Sequence, residues 1–130
     1  MNGTFTEISF DYLATENYAT FAFGADFYTV CDGNGAAGTV EWIRQMGTPG
    51  TDLGSKIASD NMGNVFVTGY SQNGGLDNNI SSGLNDIILV KHDSSGVKQW
   101  TRQIGTSIHE EGYAIATDSN GNVYVAGRTS

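Results

Sequence analysis

EWIRQMGTPGTDLGSKIASDNMGNVFVTGYSQ at residues 41–72 is repeated as QWTRQIGTSIHEEGYAIATDSNGNVYVAGRTS at residues 99–130. The two segments align without a gap at an offset of 58 residues, and 14 of the 32 aligned pairs are identical. Repetition at this spacing indicates a stack or ring of similar units, each of which cannot bury its apolar face alone. The repeat therefore predicts the architecture before any single motif is considered.

Each copy reads as two short strands joined by a tight turn. In the second copy, residues 113–118 and 123–126 alternate in side-chain type with a period of two and are rich in β-branched and aromatic residues, which is typical of strands. Asp is expected to cap backbone N–H groups in each turn, and Gly is expected to take a positive φ. The repeated turn positions are Asp60, Gly63, Asp118 and Gly121.

Two further strands are predicted between the copies, because residues 87–90 form the apolar run Ile-Ile-Leu-Val and another strand pattern follows the turn Asp93-Ser94-Ser95-Gly96. One period then contains four antiparallel strands. They are strand A (about 54–60), strand B (63–71), strand C (85–92) and strand D (97–105). The loop 72–84 between strands B and C is rich in Gly, Asn and Ser and is expected to be exposed.

The N-terminal part fits the same frame. Residues 24–30 match the start of strand C at an offset of 60, which pairs Asp26 with Asp86. Residues 3–10 could form a degenerate strand B, and residues 11–22 could be a helix, a loop or a strand.

The sequence thus predicts an all-β fold of four-stranded antiparallel propeller-type blades, about two repeats, incomplete at both chain ends. In one repeat domain (1–130), residues 1–23 are an N-terminal extension or degenerate strand, 24–47 a half blade, 48–105 a full repeat and 106–130 a half blade.

The pattern W-x-R-Q-x-G-T, followed by D-x-x-G-N-V-[FY]-V-x-G and by D-I-I-L-V-K-H-D-S-S-G, resembles the bacterial β-propeller repeat family SBBP. The resemblance covers residues 40–130 and extends loosely over 24–40. It implies propeller blades in surface or secreted multi-repeat proteins, without a defined catalytic set. An extracellular or cell-surface location is therefore expected, although residues 1–23 lack the basic start and apolar core of a signal peptide.

Composition limits the possible partners. The formal net charge is −8 and there are only six Lys and Arg residues, so a nucleic-acid-binding surface is not expected. No apolar run is long enough to span a membrane. Cys31 is the only cysteine, so no internal disulfide can form.

Residues kept in both copies are best explained by what each blade needs. Trp42 and Trp100 are expected to be apolar anchors between neighbouring blades. Arg44 and Arg102 are expected to pair with a carboxylate on an adjacent blade. Asp26 and Asp86 are expected to hydrogen-bond backbone at turns or strand ends. The turn aspartates resemble fragments of a calcium loop, but EF-hand spacing is missing. Turn capping is the favoured role, calcium is the one cofactor alternative, and no other metal or cofactor is predicted.

No residue is assigned a catalytic role. His109-Glu110-Glu111 lacks the second His of a zinc motif, and His92 has no nucleophile at a diagnostic spacing. The candidates for binding a ligand such as a sugar lie in strand B and the loop after it: Tyr70, Asp77, Asn78 and Asn79.

The sequence is compatible with three functions. The predicted strand order, C-D, A-B-C-D, A-B, leaves sheet edges open, and open edges recruit strands. We therefore expect a non-catalytic structural protein that assembles with itself into a ring or an extracellular filament. The alternatives are a lectin-like or other ligand-binding propeller module that recognises surface glycans, and a fragment of a propeller hydrolase or lyase.

Overall fold

A computed structural model describes the backbone of residues 18–23 and 26–31 and the whole chain from residue 41 to 130. The described part contains nine strands and one short 3-10 turn at Leu76–Asn78. The strands are β1 (Tyr18–Phe23), β2 (Asp26–Cys31), β3 (Trp42–Gly47), β4 (Asp52–Ser59), β5 (Val65–Gln72), β6 (Asn85–His92), β7 (Lys98–Ile104), β8 (Glu110–Thr117) and β9 (Val123–Thr129). Within this part, no helix has the length and apolar character needed to cross a membrane.

The strands form three antiparallel sheets in chain order. The first sheet is β1-β2-β3, the second is β4-β5-β6-β7 and the third is β8-β9. The second sheet is the complete four-stranded unit predicted from the repeat, with strands A to D as β4 to β7. The all-β fold class and the incomplete propeller architecture are confirmed.

The strand beside β2 is β1, in register from Tyr18 opposite Cys31 to Phe23 opposite Asp26. Only residues 24–25 separate the two strands, where the second sheet has the long loop 73–84. Residues 18–22 are therefore strand, which excludes the helix considered for that segment. The degenerate strand proposed for residues 3–10 lies outside the described residues.

The main apolar core lies between the first and second sheets. Trp42 and Met46 of β3 pack against one face of the second sheet. That face is formed by Ile88 of β6 and by two buried valines of β5. Leu76 from the loop 73–84 joins this core and is only 2 % exposed. The other residues of the loop are exposed or half-buried, so the expectation of an exposed loop fails only at Leu76, whose apolar side chain is part of the core.

The repeat reproduces a β-bulge between strands A and B. The register of β4 shifts between Gly54 and Lys56, and that of β8 shifts between Gly112 and Ala114. A Cβ added to Gly69 would lie 1.7 Å from the carbonyl oxygen of Leu53. Only glycine allows this close approach of two backbones, which accounts for its presence at both Gly69 and its repeat equivalent.

The third sheet packs on the opposite face of the second. Gly112 sits so close to β5 that an added Cβ would lie 2.4 Å from Oγ1 of Thr68. The hydroxyl of Thr117 donates to the carbonyl oxygen of Ser59, at 2.7 Å, across one full repeat. The second and third sheets are therefore stacked face to face with their A strands, β4 and β8, next to each other, as in consecutive propeller blades.

Candidate functional site

The repeated Asp-x-x-Gly-Asn turns have one geometry. Oδ1 of Asp60 accepts the backbone N–H groups of Met62 and Asn64, each at 2.9 Å, and Oδ2 accepts the Asn64 amide at 2.7 Å. Burial works to raise the pKa of Asp60, but these hydrogen bonds outweigh it and hold the pKa below its ordinary value. Gly63, between them, has a φ of 78°.

Asp118 makes the same three hydrogen bonds in the second copy, and Gly121 has a φ of 81°. The hydrogen bond from the Asn122 side chain is the largest cause that lowers the pKa of Asp118 to about 2. Asp93 caps its own turn by accepting the N–H groups of Ser95 and Val97. Among residues 41–130, no group of three or more His, Cys, Asp or Glu side chains is arranged to hold a metal ion.

A second carboxylate motif stands at the start of strands A and C. Oδ2 of Asp52 accepts the N–H of Thr48 at 2.6 Å, and Oδ2 of Asp86 accepts the N–H of Ser82 at 2.7 Å. Glu110 repeats the arrangement of Asp52 by accepting the N–H of Thr106 at 2.8 Å. Glu110 therefore fastens a loop to a strand in the segment that superficially resembles a zinc motif. The side chain of Asp26 lies outside the described residues.

The four predicted binding residues have different surroundings. Asp77 forms an ion pair with Lys98 and accepts a hydrogen bond from Thr101, both in β7. The Asn79 amide donates to the carbonyl oxygen of Leu76 at 2.7 Å, while Asn78 has a φ of 64° and an exposed side chain.

Tyr70 instead lies on the side of β5 that meets the third sheet, where it interacts electrostatically with Tyr113. Asp77 is thus engaged by strand β7 and Asn79 by its own loop, while Tyr70 lies in a separate environment.

The seam between the first and second sheets is built around Trp42. Its side chain is 7 % exposed, and its indole N–H donates to the carbonyl oxygen of Ser94 at 3.3 Å. A Cβ on Gly96 would lie 2.5 Å from the indole ring. The ring also packs against His92, with centroids 5.6 Å apart and the ring planes tilted by 35°. Burial is the main cause that lowers the pKa of His92 to about 4, so the imidazole is neutral in this seam near pH 7.

Arg44 completes this contact. Its Nε donates to the carbonyl oxygen of Gly96 at 2.6 Å, and its guanidinium carbon lies 5.7 Å from the centre of the Trp42 ring. The expectation that Arg44 pairs with a carboxylate is therefore wrong, because the group across the seam is a turn carbonyl. Outer strand β3 thus holds the turn between β6 and β7 of the next sheet through one indole and one guanidinium.

The repeat places an equivalent face on β7, formed by Trp100, Arg102 and Ile104, which we call the outer face. Arg102 lies over the Trp100 ring at 5.4 Å, as Arg44 does over Trp42. Nothing in residues 41–130 covers this face to the same degree. Ile104 is 63 % exposed, whereas its equivalent Met46 is 9 % exposed.

The third sheet has a matching open edge. Strand β5 pairs with β4 on one side and β6 on the other, whereas β9 pairs, among the described strands, with β8 alone. Phe66 of β5 is 1 % exposed, whereas its equivalent Tyr124 in β9 is 58 % exposed. We call the β9 edge and the outer face together the open side.

Sequence reasoning predicted an open edge at the last A-B pair and named Trp100, but it did not identify the outer face as an uncovered surface. Identical residues in two copies gave no sign that Trp42 would be covered and Trp100 uncovered. The sequence does contain a relevant signal. Trp42 is followed in the chain by a unit with strands C and D, whereas Trp100 is followed, within residues 41–130, by strands A and B alone.

Comparison with known proteins agrees with this architecture. The β-propeller repeat family SBBP matches residues 41–77 and 99–130. The regulatory protein FlaEY of Caulobacter vibrioides is 32% identical over 101 residues, covering 72% of this chain and 11% of that protein. The uncharacterized WD repeat-containing protein L264 of Acanthamoeba polyphaga mimivirus is 25% identical over 107 residues, covering 66% of this chain and 8% of that protein. This chain thus spans about a tenth of the length of these curated relatives, and it belongs to the SBBP β-propeller repeat family.

Proposed function

We propose that this chain is a non-catalytic structural module that assembles with further copies of itself by strand addition at β9. The observation that carries the proposal is the difference between β5 and β9. These strands occupy equivalent places in the repeat, yet β5 is paired on both edges and β9 on one within the described residues. An open edge of this kind offers main-chain hydrogen bonds to an added strand, while alternate side chains supply packing.

The donor strands in this scheme are β2 and β3 of the second copy, because they stand in the repeat where β6 and β7 stand in the second sheet. Their addition would give the order β8-β9-β2-β3, which reproduces β4-β5-β6-β7. In each copy β2 is already paired with β1. Assembly therefore requires β9 of one copy to take the place of β1 beside β2 of the next.

Contact of this type is head to tail, so it closes into a ring or continues as a filament according to the rotation per step. The net charge of −8 opposes association of identical chains at low ionic strength. Salt should therefore favour assembly by screening this repulsion. The resemblance of the repeat to surface and secreted proteins is the reason for proposing an extracellular or cell-surface location, which fractionation of the producing cell would test.

The glycan-binding alternative has less support, because Asp77 and Asn79 make hydrogen bonds within the chain that a sugar would have to replace. A propeller hydrolase or lyase has the support of fold analogy alone.

Mass measured by light scattering against concentration tests the proposal, together with negative-stain images. We expect mass to rise with concentration in the full chain and to rise further in a chain that lacks residues 1–23, because that deletion frees the edge of β2. A chain that stays monomeric at all concentrations in both forms, with β-sheet circular dichroism intact, would overturn it.

Two proline variants, Val125→Pro and Ala126→Pro, serve as a matched pair. Neighbouring residues of a strand direct their N–H groups to opposite edges, so one variant breaks pairing with β8 and the other affects only the open edge. The variant that keeps the parent melting temperature should lose assembly. Full assembly by that variant would contradict strand addition at β9.

A further inference from the structure

The two Trp–Arg pairs have the same arrangement, but only the pair in the seam contacts a turn within residues 41–130. In the seam of the first and second sheets, Trp42 and Arg44 hold two carbonyl oxygens of a single turn, those of Ser94 and Gly96. In the outer face, Trp100 and Arg102 keep the same stacked arrangement, with 5.4 Å between guanidinium and ring against 5.7 Å in the seam. The indole and the guanidinium of the outer face are therefore arranged relative to each other as in the occupied seam.

The occupied copy defines what such a turn must look like. Gly96 has a φ of 78° and its Cα lies against the indole, where a Cβ would approach to 2.5 Å. Asp93 holds the turn closed by accepting the N–H groups of Ser95 and Val97. The counterpart is thus a hairpin whose turn has Asp first and Gly in the position that meets the ring.

The uncovered copy also carries the apolar surface that such a hairpin would cover. Ile104 is 63 % exposed where its equivalent Met46 is 9 % exposed. Trp100 is half-buried and touches Phe66, with ring centroids 6.1 Å apart, so the ring is held in place from one side. The pairing edge of β9 belongs to the same open side, so strands added there would carry their turn to Trp100.

We propose that the outer face of Trp100, Arg102 and Ile104 is a docking site for the β2–β3 hairpin of a second copy, and that it selects a glycine-containing turn. The sequence between β2 and β3 begins with Asp32-Gly33, and its glycine-rich part runs to Gly38. The inference rests on the proposed self-assembly and adds to it the recognising groups: an indole N–H and a guanidinium that bind turn carbonyls.

The first test supplies the hairpin within one chain. Ser130 aligns with Gln72, so a second copy of residues 73–105 fused after Ser130 continues the third sheet in phase. The tryptophan of the added copy is replaced by Phe, and 5-fluorotryptophan labelling then reports Trp42 and Trp100 as separate ¹⁹F signals, assigned with Trp100→Phe. We expect the chemical shift of the Trp100 signal to change and to become the same in H₂O and D₂O, because the covered ring no longer contacts solvent. The melting temperature should also rise.

The matched variants carry Ala in the added turn, at the position copied from Gly96 or at the position copied from Ser95. Ala at the glycine position should leave Trp100 solvent-accessible, because the Cβ would collide with the indole. Ala at the serine position should keep Trp100 covered. Equal behaviour of the two variants, or an accessible Trp100 beside an unaltered added turn, would overturn the proposed recognition.

The second test uses the 130-residue chain and assigns the source. A Trp100 signal that changes with protein concentration, in step with mass by light scattering and without a change at Trp42, supports docking by a second copy. Assembly without a change at Trp100 would overturn the docking site while leaving strand addition at β9 intact. Docking in the fused chain with no concentration dependence in the 130-residue chain would overturn the assignment to a second copy.

Discussion

The indole N–H of Trp42 donates to the carbonyl oxygen of Ser94 across 52 residues of sequence, at 3.3 Å. This bond joins the outermost strand of the first sheet to a turn of the second. The first and second sheets are therefore joined at an outer strand, whereas the second and third sheets are joined at their A strands, β4 and β8.

Glycine in the fastened turn can be tested against glycine in a free one. Gly96→Ala should destabilise far more than Gly121→Ala, although both residues have positive φ. At Gly121 an added Cβ meets nothing within 4 Å, so only the left-handed backbone costs energy, about 1–2 kcal/mol. At Gly96 the clash with Trp42 adds overpacking of about 1–3 kcal/mol. Urea unfolding of both variants measures the difference, and equal losses would show that the turn moves freely away from the indole.

The two tryptophans should also differ in their contribution to stability. Trp42→Ala removes a side chain that is 7 % exposed and should cost about 3–5 kcal/mol of unfolding free energy. Trp100→Ala should cost clearly less in the monomer, because no turn within residues 41–130 covers the outer face, where Ile104 is 63 % exposed. Denaturant titration at a protein concentration low enough to prevent assembly is the measurement. A larger loss for Trp100→Ala would mean that this ring supports the second sheet in a way its exposure does not indicate.

Acid should weaken the seam through His92. Its folded-state pKa is lowered, chiefly by burial and then by Arg44 and Lys98, from 6.5 to about 4, while Asp93 and Asp77 act in the opposite direction. The unfolded chain therefore binds a proton at higher pH than the folded chain. The stabilisation is full above about pH 6.5, decreases as pH falls towards 4, and is lost below that value.

His92→Phe keeps a ring against Trp42 and removes this titration. Thermal melting of parent and variant between pH 7 and pH 4 should show a smaller fall for His92→Phe. Parallel curves would indicate that the acid sensitivity originates elsewhere, with the carboxylates whose pKa values are lowered as the next candidates.

The repeated turn aspartates provide a further matched pair. Asp60→Ala leaves Asn64, which is also buried, without its acceptor, and the loss of hydrogen bonds to a buried charged group should cost about 1.5–3 kcal/mol. Asp118→Ala removes the same bonds in an exposed turn, where water replaces them, and should cost less. Calorimetric melting of the two variants checks the order. Addition of calcium should leave the melting temperature of the parent protein unchanged. A calcium-dependent rise in the parent melting temperature that disappears in Asp60→Ala would support calcium binding at this turn.

Much of the fold followed from the repeat alone. A 58-residue period with two strand-turn-strand copies predicted four strands per unit, and β4 to β7 have that order because the alternation of apolar and polar residues specifies strands and the Asp-x-x-Gly-Asn turns specify hairpins. The positive φ of Gly63 and of Gly121 has the same local origin. Segments without a repeated partner were harder: the strand beside β2 is Tyr18–Phe23, which no internal copy could indicate.

The two tryptophans of the candidate site show what the sequence determines and what depends on the tertiary structure. Sequence by itself determined that Trp42 and Trp100 are equivalent, since equal neighbours at equal spacing produce equal local structure. Only the tertiary structure decided that they differ, because burial depends on what packs against a residue from another sheet. Trp42 has the turn from Asp93 to Gly96 against it, while the outer face at Trp100 meets no corresponding turn among the described residues. The difference between two identical residues is thus a property of the stack.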